Sequence, residues 1–294
     1  METYRLIRTV KKEMKLMILD EIVAATKERV AREKQLVSEA EYKEMAEQRL
    51  QEEEKGQQNP MGQKKLLMER TLSQPGLHFI CEVKKASPSK GVIVEEFDYL
   101  TIAKEYEAAG ASAISVLTEP KFFQGELRYL KEISEEVKIP LLRKDFIIDV
   151  YQIYQAKAMG ASCVLLICAI LTKEQIREYL SICDSLKLSA LVEIHDEEEA
   201  ELAIRAGARI VGVNNRNLKD FTVDINNSLR LRAKIPEDVL FVAESGIHTS
   251  TDIKQLYDAK VNAVLIGEAM MRSTEKTAMM KELLKEVAVR NQRI

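Results

Sequence analysis

EAAGASAISVL (107–117), KAMGASCVLLI (157–167) and IRAGARIVGVN (204–214) are three versions of one pattern. Each version begins with the end of an amphipathic segment, continues with a glycine that can stop a helix, and ends in a short apolar run. The pattern predicts a helix, a tight turn and a strand. Its recurrence indicates a chain built from repeated helix and strand units.

Eight apolar runs of strand length follow one another from residue 78 onward, and amphipathic segments of helix length separate them. The runs cover 78–83, 112–117, 138–144, 162–169, 189–194, 209–214, 239–245 and 261–267. They are rich in Val, Ile and Leu and alternate little, which is typical of parallel strands buried on both faces. We therefore predict an α/β fold, a (β/α)8 TIM barrel over residues 76–294. An open doubly wound sheet is disfavoured, because no GxGxxG follows the first strand.

The residues before the barrel predict a helical extension over 17–75. In MILDEIVAATKERV (17–30) the apolar side chains fall near one helical face, which indicates a helix that docks on a core. Residues 1–16 lack a counterpart in this pattern. We expect them to be a leader that is disordered or an extension from an upstream start codon, with Met17 as the true start.

Composition limits the class of protein. The 294 residues are 46% hydrophobic and 31% charged with a net charge of −3, as in a globular protein rather than a general nucleic-acid binder. No apolar run approaches the roughly 18 residues of a membrane span. Four cysteines without a CxxC pair suggest a reduced protein, so we expect a cytoplasmic location and no membrane partner. For assembly we expect a monomer or a weak homo-oligomer.

Charged side chains follow the predicted strands at the end of the barrel where catalysis takes place in this fold. Glu82 and Lys84 are two residues apart and so face the same side, either as functional groups or as a structural ion pair. Lys144 can be an acid, a Schiff-base nucleophile, an anion contact or a solvated loop residue. Glu193 is embedded in LVEI and suits general acid–base chemistry with a raised pKa.

The last three strands end in groups that suit an anionic ligand. Asn214 and Arg216 can hold hydroxyls and a carboxylate, although turn chemistry explains them too. Gly246 and Gly267 follow strands seven and eight, where barrels often bind phosphate, and Ser87 lies in a polar loop at the same rim. Plain turn glycines are the alternative interpretation for either glycine alone.

Metal and cofactor sites are not indicated. The three histidines form no HxH or HExxH motif, no nucleophile elbow is present, and no glycine fingerprint suggests a flavin or nicotinamide site. We expect a site without metal or cofactor that carries out acid–base chemistry on a phosphorylated, anionic small molecule.

Seven motifs resemble, in chain order, the strand-end motifs of the indole-3-glycerol phosphate synthase family. They are EVKKASPSKG (82–91), SVLTEPKFFQG (115–125), PLLRKDFI (140–147), LVEIHD (191–196), GVNNRNL (212–218), ESGI (244–247) and LIGEAMMR (265–272). The stretch 17–30 is similar to the N-terminal helix of that family. The resemblance covers about residues 17–290. It implies a carboxy-lyase of tryptophan biosynthesis that closes the indole ring of a carboxyphenylamino-deoxyribulose phosphate without a cofactor.

The resemblance also implies a role for each charged residue of the site. Lys144 would be the general acid at the substrate carbonyl, and Glu193 would assist proton transfer. Glu82 would position or deprotonate as the partner of Lys84, which would contact anionic groups of the substrate. The second proton, needed for dehydration, would come from Lys84 or Glu193, and the resemblance does not decide between them.

The remaining implied residues bind the substrate. Asn214 and Arg216 would orient it, and Glu244 and Ser245 would lie near its ribulose chain. Phosphate would be held by Ser87, Gly246, Gly267 and the backbone of Glu268. An apolar wall would consist of Phe123, Leu142, Phe146 and Leu165. Position 268 is a serine in some members, so only the backbone N–H of Glu268 is expected to contact phosphate.

Two further interpretations stay open on the residues alone. One is a class I aldolase-type barrel that acts on another sugar phosphate through a Schiff base on Lys144. The other is a non-catalytic barrel that uses the helix over 17–47 as a binding surface, although the charged stretch EAEYKEMAEQRLQEEEK (39–55) is more typical of a solvated helix.

Overall fold

A computed structural model of the chain describes residues 2–56, 66–216 and 222–291. Asn217 and Leu218 of the fifth motif therefore lie outside the described residues. Within these ranges the chain folds as a closed barrel of parallel strands with helices around it. The predicted fold class is confirmed.

Eight strands close the barrel, and each pairs in parallel with the next along the chain until the last pairs with the first. The strands are β1 (His78–Val83), β2 (Ala113–Leu117), β3 (Leu141–Lys144), β4 (Cys163–Ile167), β5 (Ser189–Ile194), β6 (Ile210–Asn214), β7 (Leu240–Glu244) and β8 (Ala263–Ile266). Each strand lies within one of the eight apolar runs. The register places Ile167 opposite Glu193 and Asn214 opposite Glu244, which brings the charged strand ends to one level.

Three helices precede the barrel and nine follow its first strand among the described residues. The first three are α1 (Glu2–Leu36), α2 (Glu39–Gly56) and α3 (Leu67–Leu72). The others are α4 (Tyr99–Ala108), α5 (Leu127–Glu136), α6 (Val150–Ala158), α7 (Lys173–Ser185), α8 (Glu197–Ala206), α9 (Asn226–Arg232), α10 (Ser250–Asp258), α11 (Glu268–Arg272) and α12 (Lys276–Asn291). A 3-10 turn, Cys168–Ile170, follows β4, and a small antiparallel hairpin pairs Ala86–Ser87 with Gly91–Val92.

The hydrophobic core has two parts. The larger part lies between the outer faces of the strands and the surrounding helices. The smaller part fills the barrel interior, and Met68 and Leu72 of α3 belong to it. At the same end, Glu69 of α3 pairs with Arg209, which precedes β6. Helix α3 therefore closes the end of the barrel opposite the charged strand ends.

Helix α2 lies along one side of the barrel and is held there by contacts with α6. Lys157 Nζ of α6 is 2.6 Å from Glu53 Oε2 of α2. The rings of Tyr42 and Tyr151 pack edge to face with centroids 5.2 Å apart. These contacts hold α2 against α6.

The N-terminal segment differs from one expectation. Helix α1 begins at Glu2, so the backbone over 2–16 continues this helix and is not a disordered leader. A helical backbone is what the long run of residues without Gly or Pro favours. The assignment of Met17 as the start stays a prediction. No helix in the described part of the chain is long and apolar enough to cross a membrane.

Candidate active site

A cavity of about 210 Å³ opens at the carboxyl ends of the strands, and all eight strands contribute to its wall. Of the predicted site residues, these line it: Glu82, Lys84, Ser87, Phe123, Lys144, Phe146, Leu165, Glu193, Asn214, Arg216, Glu244, Ser245, Gly246, Gly267 and Glu268. The carboxyl ends of parallel strands meet at one end of a barrel, so residues far apart in the chain converge there. All the predicted site residues except Leu142 therefore lie around this one cavity.

Leu142 is the exception, and its assignment to the apolar wall is wrong. Its side chain is fully buried in the barrel interior and does not line the cavity. Leu142 and Lys144 face the same side of β3, but Leu142 lies one layer deeper and Lys144 covers it. Leu142 is a core residue.

Lys144 lies at the centre of the site as the last residue of β3. Its ammonium group is 2.6 Å from Glu244 Oε2 and 3.1 Å from Glu193 Oε2. Burial alone would lower the pKa of Lys144, but the charges of Glu244, Glu193 and Glu82 outweigh burial and raise it. Lys144 is therefore an ammonium ion at neutral pH.

The two carboxylates that flank Lys144 differ in proton affinity. Burial raises the pKa of Glu244 to about 7, and the charge of Glu193 adds to this while Lys144 opposes it. Burial also raises the pKa of Glu193, but Lys144 and His195 outweigh burial and the net pKa is lowered. One lysine thus holds Glu193 ionised and leaves Glu244 close to its titration point at neutral pH. Pairs of groups driven apart in this way are typical of acid–base sites.

Glu82 and Lys84 form a second ion pair on the cavity wall, with both side chains mostly buried. The pair depends on the glycine after β8. A Cβ at Gly267 would overlap Glu82 Oε2 and lie 3.0 Å from Lys84 Nζ. The glycine thus leaves the space in which this pair faces the cavity.

The loop after β7 has a strained backbone beside the cavity. Ser245 has a φ of 67° and Gly246 a φ of 75°, both in the left-handed region. Glycine adopts this conformation freely, whereas for serine it costs about 1 kcal/mol or more. Strain of this kind occurs often at ligand sites, where the surrounding structure holds it in place.

Glu268, Ser87 and the hairpin complete this rim. The carboxylate of Glu268 is 3.2 Å from Arg272 Nε and 3.6 Å from Lys90 Nζ. Burial would raise the pKa of Glu268, but these cations outweigh it and lower the pKa. The charge of this carboxylate is thus offset by the cationic side chains of the rim.

Asn214 and Arg216 follow β6 as a linked pair. Asn214 Nδ2 donates to Glu193 Oε1 at 3.4 Å, and the Arg216 backbone N–H donates to Asn214 Oδ1 at 3.0 Å. The amide of Asn214 thus orients Glu193 from one side and the start of the following loop from the other.

The apolar side of the cavity contains two aromatic rings. Phe123 and Phe146 lie with ring centroids 6.1 Å apart, and Leu165 lines the same cavity. The loop that carries Phe123 is tied to Glu119, whose buried carboxylate accepts backbone N–H groups from residues 121, 122 and 123 at 3.0, 2.7 and 3.1 Å. This role of Glu119 was missed, because no local pattern tells such a carboxylate from a surface one.

Helix α1 supplies part of the cavity wall, which was also missed. Ile18, Leu19 and Ile22 line the cavity. In sequence they predicted only a helix face that docks on a core. The apolar face of α1 covers the barrel mouth instead of the barrel flank.

A buried ionic cluster fastens α1 beside Lys144. Asp145 Oδ1 is 2.8 Å from Arg29 Nη2 of α1, and Asp145 Oδ2 is 2.9 Å from Arg143 Nη2 and 2.8 Å from Thr118 Oγ1. Burial would raise the pKa of Asp145, but the two guanidinium groups lower it to about 2. The motif RKDF indicated charged residues here. Arg29, 116 positions away from Asp145, could not be found from it.

Metal binding was not expected from the sequence. Over 18–55, 66–216 and 222–287, no group of three or more His, Cys, Asp or Glu side chains has the arrangement to hold a metal ion. The expectation itself stays a prediction for assay under a chelator.

The barrel, the ammonium between two buried carboxylates and the second ion pair define a (β/α)8 barrel whose site is suited to acid–base chemistry. A sequence model described as "Indole-3-glycerol phosphate synthase" matches residues 19–283. The chain belongs to the indole-3-glycerol phosphate synthase family, whose members are carboxy-lyases.

Curated relatives carry the same name over nearly their whole length. The chain is 52% identical over 267 residues to "Indole-3-glycerol phosphate synthase" of Lachnoclostridium phytofermentans. The aligned region covers 91% of this chain and 98% of the relative. The chain is 53% identical over 267 residues to the protein of that name from Ruminiclostridium cellulolyticum, with the same coverage. Among solved structures, 3-hexulose-6-phosphate synthase from Salmonella typhimurium aligns with a TM-score of 0.59 at 13% identity, over 72% of this chain and 99% of that one. This last likeness shows the barrel fold alone.

Proposed function

We propose that the chain converts 1-(2-carboxyphenylamino)-1-deoxyribulose 5-phosphate into indole-3-glycerol phosphate, with loss of carbon dioxide and water, in tryptophan biosynthesis. The observation that carries this proposal is Lys144, held as an ammonium ion between Glu193 and Glu244 in a cavity with aromatic walls. The substrate offers a ketone to a proton donor, an aromatic ring to the apolar wall and a phosphate to the opposite rim. Family membership supports the same reaction.

Ring closure is the first part of the proposed reaction. The ring carbon that bears the carboxylate attacks the ketone carbon, and Lys144 gives a proton to the ketone oxygen as its negative charge develops. Carbon dioxide then leaves with the electron pair returning to the ring. Glu193 and Glu244 hold Lys144 in position for this step, as the distances of 3.1 and 2.6 Å support.

Dehydration is the second part, and here we propose Lys84 as the donor. The new hydroxyl leaves as water with a proton from Lys84, while Glu82 removes a proton from the methylene carbon beside the nitrogen. Glu193 is a poor donor for this step, because its pKa is lowered and it is ionised at neutral pH. Lys84 and Glu82 are partners on the cavity wall, so acid and base lie side by side.

The remaining residues bind and orient the substrate in this proposal. The aromatic ring would pack against Phe123, Phe146 and Leu165. Asn214 and Arg216 would orient the carboxylate and hydroxyl groups. Phosphate would contact the rim of Ser87, Ser245, Gly246, Gly267 and the backbone N–H of Glu268. The aldolase-type alternative is disfavoured, since a Schiff base needs a neutral amine and three carboxylates keep Lys144 protonated.

We further propose that the reaction needs no cofactor or metal and takes place in the cytoplasm, in a monomer or weak homo-oligomer without a nucleic-acid partner. The decisive assay measures indole-product fluorescence after mixing the pure protein with the substrate in buffer that contains a chelator.

Lys144→Ala should abolish turnover, by at least roughly 10²-fold, because it removes the general acid. Its circular dichroism spectrum should stay that of the parent. A folded wild-type protein that forms no product would contradict the proposal. Trapping by borohydride with a keto-phosphate would then point to the aldolase chemistry.

A further inference from the structure

A series of polar contacts leads from Lys144 through Glu193 and His195 to Glu199, toward the outside of the barrel. Lys144 Nζ is 3.1 Å from Glu193 Oε2, and the other oxygen of that carboxylate, Oε1, is 3.5 Å from His195 Nε2. The second ring nitrogen, His195 Nδ1, is 3.1 Å from Glu199 Oε2. Glu193 thus lies between Lys144 and His195, and His195 lies between Glu193 and Glu199.

The exposed fraction of the side chains rises along this series of contacts. The side chains of Glu193, His195 and Glu199 are 5%, 16% and 20% exposed, in that order. Glu199 lies in the first turn of α8 and also accepts the backbone N–H of His195 at 2.7 Å, which fixes the ring against β5. His195 Nε2 is buried without a hydrogen-bond partner among the described residues. It lies next to Glu193, at the distance that a small rotation or one water molecule would bridge.

The proposed reaction has a proton requirement that the cavity alone does not meet. A proton is given to the ketone oxygen, a second to the leaving hydroxyl, and one is removed from the methylene carbon. Each turnover therefore takes up one proton from solvent, in balance with the carboxylate charge that is lost as carbon dioxide. The bound substrate would occupy the mouth that Ile18, Leu19 and Ile22 cover, so a path from behind the site is needed.

We propose that His195 and Glu199 form the path by which a proton returns to Lys144 through Glu193. A proton passes from water to the Glu199 carboxylate and then to His195 Nδ1, while the proton on Nε2 moves to Glu193 Oε1. Rotation of the Glu193 carboxyl group then brings the protonated oxygen to Lys144, and the proton passes from it to the neutral amine. Only N–H and O–H bonds form and break, and rotation of the ring restores its first tautomer. His195 and Glu199 act through Glu193 and are positioning residues, and the inference rests on the proposed function.

The surroundings of His195 suit a proton carrier. Three carboxylates lie around the imidazole: Glu193 of β5, Glu199 of α8 and Glu244 of β7. Lys144 of β3 lies beyond Glu193. The uncharged side-chain amide of Asn227 of α9 donates a hydrogen bond to the backbone carbonyl of His195 at 3.1 Å. Burial would lower the pKa of His195, but the hydrogen bond to Glu199 and the nearby carboxylates raise it. An imidazole that can hold or release a proton near neutral pH is the usual carrier for such a step.

The test compares two rates of the full-length His195→Asn variant. The asparagine amide can keep the hydrogen bond to Glu199 but cannot carry a proton. In a single turnover with enzyme in excess, Lys144 begins protonated, so the rate should equal that of the wild type. In steady state at about pH 8.5, above the ordinary histidine pKa, kcat should fall by about tenfold or more. The ratio kcat/KM should stay unchanged, because loss of carbon dioxide is irreversible and precedes the return of the proton.

Two further variants make the result specific. Added imidazole should restore kcat of His195→Ala, and His78→Asn, at the other end of the barrel, should leave both rates unchanged. Equal losses in single turnover and steady state would indicate a structural role and overturn the proposal, as would an unchanged steady-state kcat. A wild-type enzyme that forms no product in single turnover would overturn the proposed function and this path with it.

Discussion

Glu244 carries a carboxyl group that takes up its proton near neutral pH because the barrel interior surrounds it. Its neighbour Glu193 shares the same ammonium ion and yet stays ionised. Two identical side chains thus differ in charge, because His195 and the amide of Asn214 favour the ionised form of Glu193, whereas the charges of Glu193 and Glu82 disfavour that of Glu244. At the residue scale, the chemistry of the site depends on such differences in surroundings more than on residue type.

The raised pKa of Glu244 makes stability depend on pH. The folded state holds a proton on Glu244 between the ordinary pKa of 4.5 and about 7, whereas the unfolded state does not. Stability from this group is present below 4.5 and is lost as pH rises through 7. We expect a loss of about 3 kcal/mol across that interval in the wild type, and none in Glu244→Gln. Urea unfolding at several pH values measures it, and parallel profiles for the two proteins would contradict the assignment.

Residue depth explains why Leu142 was misplaced while its neighbours were not. The alternation of a strand tells which side a residue faces, and it placed Glu82, Lys84 and Lys144 correctly. Alternation does not tell how deep a residue lies along the barrel axis. Only the stacking of layers from all eight strands shows that Leu142 is covered.

At the scale of elements, the strands and their ends could be predicted because their signal is local. Each apolar run and each glycine stop is contained in about ten residues, and barrel geometry then brings the strand ends together. The place of α1 could not be predicted in this way. Its apolar face is equally suited to the flank or to the mouth of the barrel, and the ion pair between Arg29 and Asp145 decides between them.

Breaking that ion pair should loosen α1. Arg29→Met leaves a buried carboxylate with one cation fewer, which should lower the free energy of unfolding by about 3 kcal/mol at pH 7. The pKa of Asp145 is lowered to about 2, so its contribution is present above its ordinary value of 3.8 and lost as pH falls through 2. The deficit of the variant should therefore shrink in acid. KM should rise too, because α1 forms part of the cavity wall.

Arg32→Met is the matched control, since Arg32 is exposed on the same helix. It should leave both the free energy of unfolding and KM unchanged. A similar loss in the two variants would mean that charge on α1, and not the clamp on Asp145, stabilises the protein.

At the scale of the whole molecule, the N-terminal extension contacts both ends of the barrel. Helix α1 covers the mouth with Ile18, Leu19 and Ile22, and α3 fills the opposite end with Met68 and Leu72. Between them α2 lies along α6. The extension is thus part of the barrel domain in packing, although its sequence looks separate.

Truncation distinguishes the part of α1 that lines the cavity from residues 1–16, which precede it. A chain that begins at Met17 keeps every cavity-lining residue that the structure describes, so we expect unchanged kcat and a melting temperature within about 2 °C of the full chain. Removal of residues 1–22 deletes three side chains of the cavity wall and should raise KM strongly. Loss of activity in the shorter truncation would show that residues 1–16 do more than extend the helix.

The ion pairs that hold the N-terminal extension on the barrel have a consequence for the synthesis of the protein. The partner of Arg29 is made 116 residues after it, and the partner of Glu69 is made 140 residues after it. During translation α1, α2 and α3 leave the ribosome long before anything exists for them to bind. The charge-rich surface of α2 favours solubility of the N-terminal extension until the partners of α1 and α3 have been made. Helices α1 and α3 therefore reach their native places only after these partners have been made.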